Sequence, residues 1–432
     1  MSTPVPSPRW RLAFVSTIFL FPTDAGGKIR TCNVLRGMLG RQFEITLLMP
    51  ATPEQKTLWR EQIQGVCDVL VSWEPPAAKP RVSRVLDLLD DLPANVVADR
   101  QPAAMLAIER QLTTEHYDVV VFDFVHASVL RPSARAARQA GATVCFTHNV
   151  ETEIFRRHAE TARQWWARLV WRSQAQKMAR FEATSLQSYD AVVAVSERDR
   201  DAFRQGFGVR NAHAIPTGVD LDFFSFEPGP EVSADAPPVV VFTGSMDWDA
   251  NIDGVRFFIR EVWPQVLERC PEARFDVVGR HPPPALVREA QDSRGVRFTG
   301  FVDDVRTYVR QACAFVIPLR VGGGTRIKAF EAMAMGCPVV STSIGIEGLG
   351  VSPNVDYLEA DDAAAMAQAI LGLVADKKLR DHLAGAARRL VEDRYGHQVA
   401  AIAFEAICMT AASKRSEAES TSVPARPTLA AH

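Results

Sequence analysis

The chain has 432 residues, too many for one ordinary core and suited to two domains of roughly 200 residues each. Apolar residues make up 47% and charged residues 23%, a globular balance that excludes a disordered or fibrous chain. The formal net charge of −2 excludes a nucleic-acid partner held by bulk electrostatics.

Residues 12–21, behind Arg9, Trp10 and Arg11, have the charge-then-apolar order of a secretory signal. Ser16 and Thr17 interrupt the run and no small-x-small cleavage site follows, so it reads instead as a first strand over 12–17 that enters a turn at Gly26 and Gly27. Further strands are predicted over 44–49, 68–72, 118–122, 143–147 and 191–196. Several are β-branched and apolar on both faces, as parallel strands covered by helices on either side should be. Helices over 31–39 and 104–113 lie between them. This alternation predicts a doubly wound α/β domain over residues 1–224.

Residues 225–238 are rich in Pro and acid, lack apolar period, and read as a linker. The alternation then restarts, with strands over 239–243, 275–278, 296–298, 314–317 and 338–341 and helices over 255–268 and beyond Thr325, giving a second α/β domain over 239–395. Residues 396–412 end an Ala- and Arg-rich helical stretch, while 413–432 are polar, carry two prolines, and are expected to be disordered. Two such domains facing across a cleft would bring ligands to the carboxyl ends of both sheets. The seven cysteines are scattered with no Cys-x-x-Cys pair, which predicts buried thiols and no zinc site. No stretch reaches the length of about 20 apolar residues that spans a bilayer. A cytoplasmic location is expected.

The segment with most chemistry is Gly322, Gly323 and Gly324, followed by Thr325, Arg326, Lys328 and Glu331. It falls between a predicted strand and a predicted helix. Glycines there let a ligand approach the backbone, Thr325 suits an N-cap, and the helix N-terminus adds partial positive charge to Arg326 and Lys328. Such a concentration of positive charge suits a diphosphate. The bland reading is a tight turn, a solvated basic face, and a Glu331–Lys328 pair at i, i+3. Neither the Walker A spacing nor Gly-x-Gly-x-x-Gly is present.

The run from Gly322 to Val340 resembles the donor-site segment of the family 4 glycosyltransferases, retaining enzymes with two Rossmann-like domains in the GT-B fold. Gly26-Gly27, residues 147–151, 195–199, 216–220, 244–251 and 300–302 match other family segments in order, and the subgroup tied to exopolysaccharide and exosortase systems looks nearest. The resemblance implies a UDP- or GDP-sugar donor and no cofactor. It implies that Arg326 and Lys328 hold the diphosphate with backbone help from Gly323, Gly324 and Thr325, and that Glu331 holds the ribose. Gly244 belongs to the same donor site, and Phe301 and Val302 face the base. Gly26 and Gly27 approach the phosphates and reacting sugar, and His148 touches the sugar hydroxyls. Two departures stand out: Gly323 occupies the place of a first family glutamate, and residues 244–251 lack the family's Arg and Lys.

The implied reaction is front-side transfer to a glycan or lipid-linked acceptor, with cations and a helix dipole stabilising the leaving diphosphate and no metal. The expected setting is surface polysaccharide or glycolipid synthesis. A sugar-nucleotide epimerase and a degenerate nucleotide-sugar binder are the alternatives. Asp123 and Asn149 are candidate acceptor-side groups; for Asp123 a loop or N-cap role weighs equally. Residues 156–180 hold Arg156, Arg157, Arg163, Arg168, Arg172, Lys177 and Arg180 around Trp165, Trp166 and Trp171. They read either as a peripheral contact with an anionic membrane or as a helix whose Ala162, Trp165, Trp166, Leu169 and Val170 face the core.

Overall fold

A computed structural model describes residues 9–76, 86–133, 140–162, 164–227, 237–321 and 327–422. The chain divides into two compact units, one of Met1–Pro216 with Ala400–His432 and one of Thr217–Val399.

In the first unit seven parallel strands form one sheet in the order β3-β2-β1-β4-β5-β6-β7. They are β1 (Trp10–Val15), β2 (Phe43–Pro50), β3 (Val69–Trp73), β4 (Tyr117–Asp123), β5 (Ala140–Phe146), β6 (Ala191–Ala194) and β7 (Ala212–Ala214). Apolar side chains of alternate parity bury against helices on opposite faces. Phe14, Val119, Val121 and Val144 lie in one cluster, and Val15, Val120, Phe122 and Cys145 in the other. The order reverses between β1 and β4, so the carboxyl ends of these two strands mark the switch point at which open α/β sheets place ligands.

The second unit repeats the plan with six strands in the order β10-β9-β8-β11-β12-β13. They are β8 (Val239–Thr243), β9 (Arg274–Val278), β10 (Val296–Gly300), β11 (Ala314–Ile317), β12 (Val339–Ser341) and β13 (Leu358–Glu359). Every pairing is parallel, and two apolar clusters cover the two faces.

Three local features differ from expectation. Gly26 and Gly27 are not a turn before a helix; they are the first turn of the helix Gly26–Met38. The unit boundary lies ahead of Thr217 rather than at 225, because Val219 bonds through its backbone to Tyr395 and His397 and Phe224 packs in the second unit's core. Residues 228–236, the middle of the expected linker, lie outside the described residues. The last helix, His397–Ser422, takes in residues 413–422 of the segment expected to be disordered, and residues 423–432 lie outside the described residues. Lys414, Arg415 and Glu417 are good helix formers, and no proline intervenes before Pro424. Phe404 and Cys408 of this helix bury in the first unit's core.

The basic segment also departs from its core-facing reading. Helices Glu151–Thr161 and Trp165–Leu186 meet at Ala162, and Trp165 (73% exposed), Trp166 (58%) and Leu169 (55%) face solvent. The buried face is instead Gln174, Ala175, Met178, Glu182 and Leu186. Of the three tryptophans only Trp171 packs inward, stacked 4.6 Å from His158 and edge-on to Phe155. Arg163 lies outside the described residues. Among the described residues no helix is long and apolar enough to cross a membrane. All seven cysteines are buried free thiols.

Candidate functional site

In the first unit the sequence-predicted residues gather at the carboxyl ends of β1, β4 and β5. Asp123 ends β4 and is wholly buried; its carboxylate lies 2.8 Å from His148 Nε2 and accepts from the Thr31 hydroxyl at 3.1 Å. On the other side of the ring, Arg30 Nη1 lies 3.1 Å from His148 Nδ1. A guanidinium can only donate, so Nδ1 is the acceptor and the ring proton sits on Nε2, facing Asp123. Phe124 and Phe146 cover the imidazole with ring centroids 4.1 and 4.5 Å away. Burial pushes the His148 pKa down, against the pull of Asp123, and it pushes Arg30 down to about 10. The family resemblance implies contact of His148 with sugar hydroxyls, and the sequence leaves Asp123 equally an acceptor-side group or a loop or N-cap residue. The structure shows both closed into an Arg30–His148–Asp123–Thr31 chain, with Asp123 fully covered. Arg30 and Thr31, one helical turn after the glycines, carried no sequence signal beyond their place on an amphipathic helix.

Gly27 is fixed as glycine by close approach, since a Cβ there would stand 2.4 Å from Phe124 Cζ. Phe124 itself holds φ +66, a costly conformation for a residue with a side chain. Asn149 is half-buried, its amide 3.5 Å from Glu151 Oε1. Glu182 is wholly buried and caps the helix Glu151–Thr161, accepting from the backbone N–H groups of Glu151 and Thr152 at 2.8 and 2.9 Å. Burial pushes its carboxyl up to about 7.

In the second unit the predicted residues lie at the carboxyl ends of β8 and β10 and on the helix that comes after β11 in the chain. Lys328, in the helix Ile327–Ala334, reaches back so that Nζ donates to the Thr243 carbonyl and to Asn251 Oδ1, each at 3.1 Å. It also lies 4.1 Å from the centroid of the Phe242 ring. Gly244 makes room for this: a Cβ there would meet Asn251 Nδ2 at 2.9 Å and Lys328 Nζ at 3.2 Å. Asn251 Nδ2 in turn donates to the Ser245 carbonyl at 2.8 Å. Residues 244–251, which lack a cation of their own, therefore hold one supplied by the helix Ile327–Ala334. Asn251 was missed as a site residue because only the fold brings it to Lys328, 77 positions away.

Glu331 follows Lys328 by three residues and is half-buried. Burial pushes its carboxyl up to about 7, with Lys328 pulling the other way. Phe301 is exposed beyond β10, while Val302 packs partly against the core. Gly323, Gly324, Thr325 and Arg326 lie outside the described residues. Among the described residues no three His, Cys, Asp or Glu side chains converge to hold a metal ion.

Two family models match these halves separately. Residues 26–223 match the model described as Glycosyltransferase Family 4, and residues 237–376 match Glycosyl transferases group 1. A phosphatidyl-myo-inositol mannosyltransferase of Mycolicibacterium smegmatis is 30% identical over 193 residues, 44% of this chain and 49% of that protein. The matched stretch thus spans about half the length of that relative. Among solved structures, sucrose-phosphate synthase from Thermosynechococcus elongatus superposes with a TM-score of 0.65 at 17% identity, covering 96% of this chain and 100% of the other. Anabaena HepE, solved with UDP and glucose, gives a TM-score of 0.59 at 15% identity, covering 96% and 100%. At such identities these likenesses are likenesses of fold.

Proposed function

Because the chain belongs to the family 4 glycosyltransferases of GT-B fold, we propose that it transfers a sugar from a nucleotide-diphosphate donor to a glycan or lipid-linked acceptor. The observation that carries this reading is Lys328, held by Thr243 and Asn251 against Gly244 at the carboxyl end of β8, with Glu331 one helical turn on. A fixed ammonium beside a backbone that lacks a side chain is what a leaving diphosphate requires. Arg326 joins Lys328 on the diphosphate with backbone N–H groups of Gly323, Gly324 and Thr325. Glu331 accepts from the ribose hydroxyls, and Phe301 and Val302 face the base. A UDP donor is favoured because HepE of the same fold is solved with UDP and glucose.

Transfer proceeds with retention and without a metal ion or other cofactor. The bond from the anomeric carbon to the diphosphate breaks as the acceptor oxygen approaches the same face, and a diphosphate oxygen takes the acceptor proton. The chain aligns the two substrates and stabilises the charge that develops on the leaving group. The Arg30–His148–Asp123–Thr31 chain fixes the helix that begins at Gly26 and Gly27. Exposed Trp165, Trp166 and Leu169 beside Arg168 and Arg172 give the chain a peripheral contact with anionic membrane, where a lipid-linked acceptor would reside.

Nucleotide release measured across a panel of UDP- and GDP-sugars tests the reading. Release with a new glycoside and no epimerised sugar is expected. Epimerised donor would identify an epimerase instead, and tight binding without turnover a nucleotide-sugar binder.

A further inference from the structure

The loop that leaves β8 at Gly244 lies against the turn of residues 279–281 that leaves β9. Backbone bonds join the two: Gly244 N–H donates to the Val278 carbonyl and Met246 N–H to the Arg280 carbonyl, each at 2.9 Å. Gly279 has no room for a side chain, since a Cβ there would stand 1.8 Å from the Gly244 carbonyl oxygen. His281 completes the turn at φ +57, a strained conformation of the kind that gathers where proteins hold ligands.

This turn brings a second cation to the loop that holds Lys328. Arg280 Nε donates to Ser245 Oγ at 3.1 Å, and the Ser245 hydroxyl gives its own proton to Asp247 Oδ1 at 2.6 Å. The carbonyl of the same serine accepts from Asn251 Nδ2 at 2.8 Å, and Asn251 Oδ1 accepts from Lys328 Nζ at 3.1 Å. Arg280, Ser245, Asn251 and Lys328 are thus one hydrogen-bonded chain with a cation at each end. Residues 244–251 contain no Lys or Arg, so both charges are supplied by neighbouring elements. Arg280 and Lys328 are half-buried, whereas Asp247 and Asp249 are exposed, where water screens their charge and limits what they offset.

The chemistry of the two ends is complementary to one class of ligand. An ammonium acts as a point charge, and a guanidinium presents a planar edge that grips phosphate oxygens in pairs. Two cations tied to one loop at the carboxyl ends of adjacent parallel strands suit two linked phosphates. We infer that Arg280 is a donor-binding residue that grips the nucleotide diphosphate together with Lys328. The inference rests on the donor-site reading of Lys328.

Isothermal titration of the full chain tests it, with whichever of UDP and GDP the wild type binds and with the matching nucleoside, which has no phosphate. Arg280→Met should weaken the diphosphate about tenfold and leave the nucleoside within about twofold. Arg280→Lys, which keeps the charge, should recover most of the loss. Should Arg280→Met not fold, Arg280→Gln, which keeps an N–H donor, takes its place. A double-mutant cycle separates grip from support: in the Lys328→Met background the Arg280 substitution should still cost several-fold. A loss that disappears in that background, or that falls equally on the nucleoside, makes Arg280 a brace for the loop and overturns the proposal. Full diphosphate affinity in Arg280→Met beside a weakened Lys328→Met overturns it too, while the donor-site reading stands. A wild type that binds neither diphosphate, or full affinity in both variants, sinks that reading and the proposal with it.

Discussion

Glu331 gives the sharpest quantitative expectation. Its carboxyl is raised from 4.5 to about 7, chiefly by burial, so the ionised form carries a cost of about 3 kcal/mol relative to water. Because the folded pKa is raised, the free protein binds this proton more tightly than the unfolded chain does. Its stability should therefore fall as pH rises from about 4.5 through about 7. Donor binding has the opposite slope, since ribose hydroxyls donate to a carboxylate and only the ionised form serves as acceptor on both oxygens. With a pKa of about 7 the ionised fraction is about one-eleventh at pH 6 and ten-elevenths at pH 8. Affinity for UDP-glucose should accordingly strengthen about tenfold over that interval. Isothermal titration with UDP-glucose is the assay, because its diphosphate, unlike that of UDP, has no proton to lose there. Glu331→Gln should flatten the profile and bind more weakly at pH 8. An affinity in the wild type that does not change with pH, or a slope that survives the substitution, would refute the assignment of Glu331 to the ribose.

Three further expectations concern other parts of the molecule. Nitrogen NMR should show His148 titrating below the ordinary histidine range, with the proton of the neutral ring on Nε2, and Asp123→Asn should cost about 2 kcal/mol in denaturant unfolding by weakening a buried hydrogen bond to a charged group. A His148 that titrates near its ordinary value would contradict the geometry. Gly27→Ala should push the Phe124 ring aside at a cost of about 1–3 kcal/mol, read by denaturant unfolding, and an unchanged stability would show that the ring yields freely. Vesicles of anionic phospholipid should sediment the protein at low salt and less of it at high salt, with Trp165→Ser and Trp166→Ser together weakening the association. No sedimentation at low salt removes the membrane contact.

Much of the fold was legible because parallel strands covered on both faces must be continuously apolar. Residues 118–122 and 239–243 could be read as little else, and the structure has β4 and β8 there. Two short strands escaped, β7 with three residues and β13 with two, whereas β12, also of three, was marked by the apolar Val339 and Val340. The helix start at Gly26 escaped too, since glycine is a poor helix former and at Gly27 it is the Phe124 ring that fills the room a side chain would take. Trp165, Trp166 and Leu169 fit an inward stripe by spacing, yet the buried face is set further along by Met178 and Leu186. At the site, the charged segment around Lys328 announced itself through composition. Asn251 and Arg30 did not, because their partners lie 77 and 118 residues away in sequence. Conversely, the sequence makes His148 conspicuous, and only the structure shows both of its ring nitrogens already engaged.

The central claim is that a cation fixed beside Gly244 stabilises a departing nucleotide diphosphate, and Lys328 is the residue to test. The decisive measurement is the rate of UDP release from UDP-glucose by the wild type and by Lys328→Met, both in EDTA at saturating donor. The wild type should turn over in EDTA, and the variant should lose more than about tenfold in rate, the cost of one charge-assisted contact to the leaving group. An unchanged rate in Lys328→Met would contradict the account of the donor site. Activity that vanishes from the wild type in EDTA would contradict the metal-free mechanism.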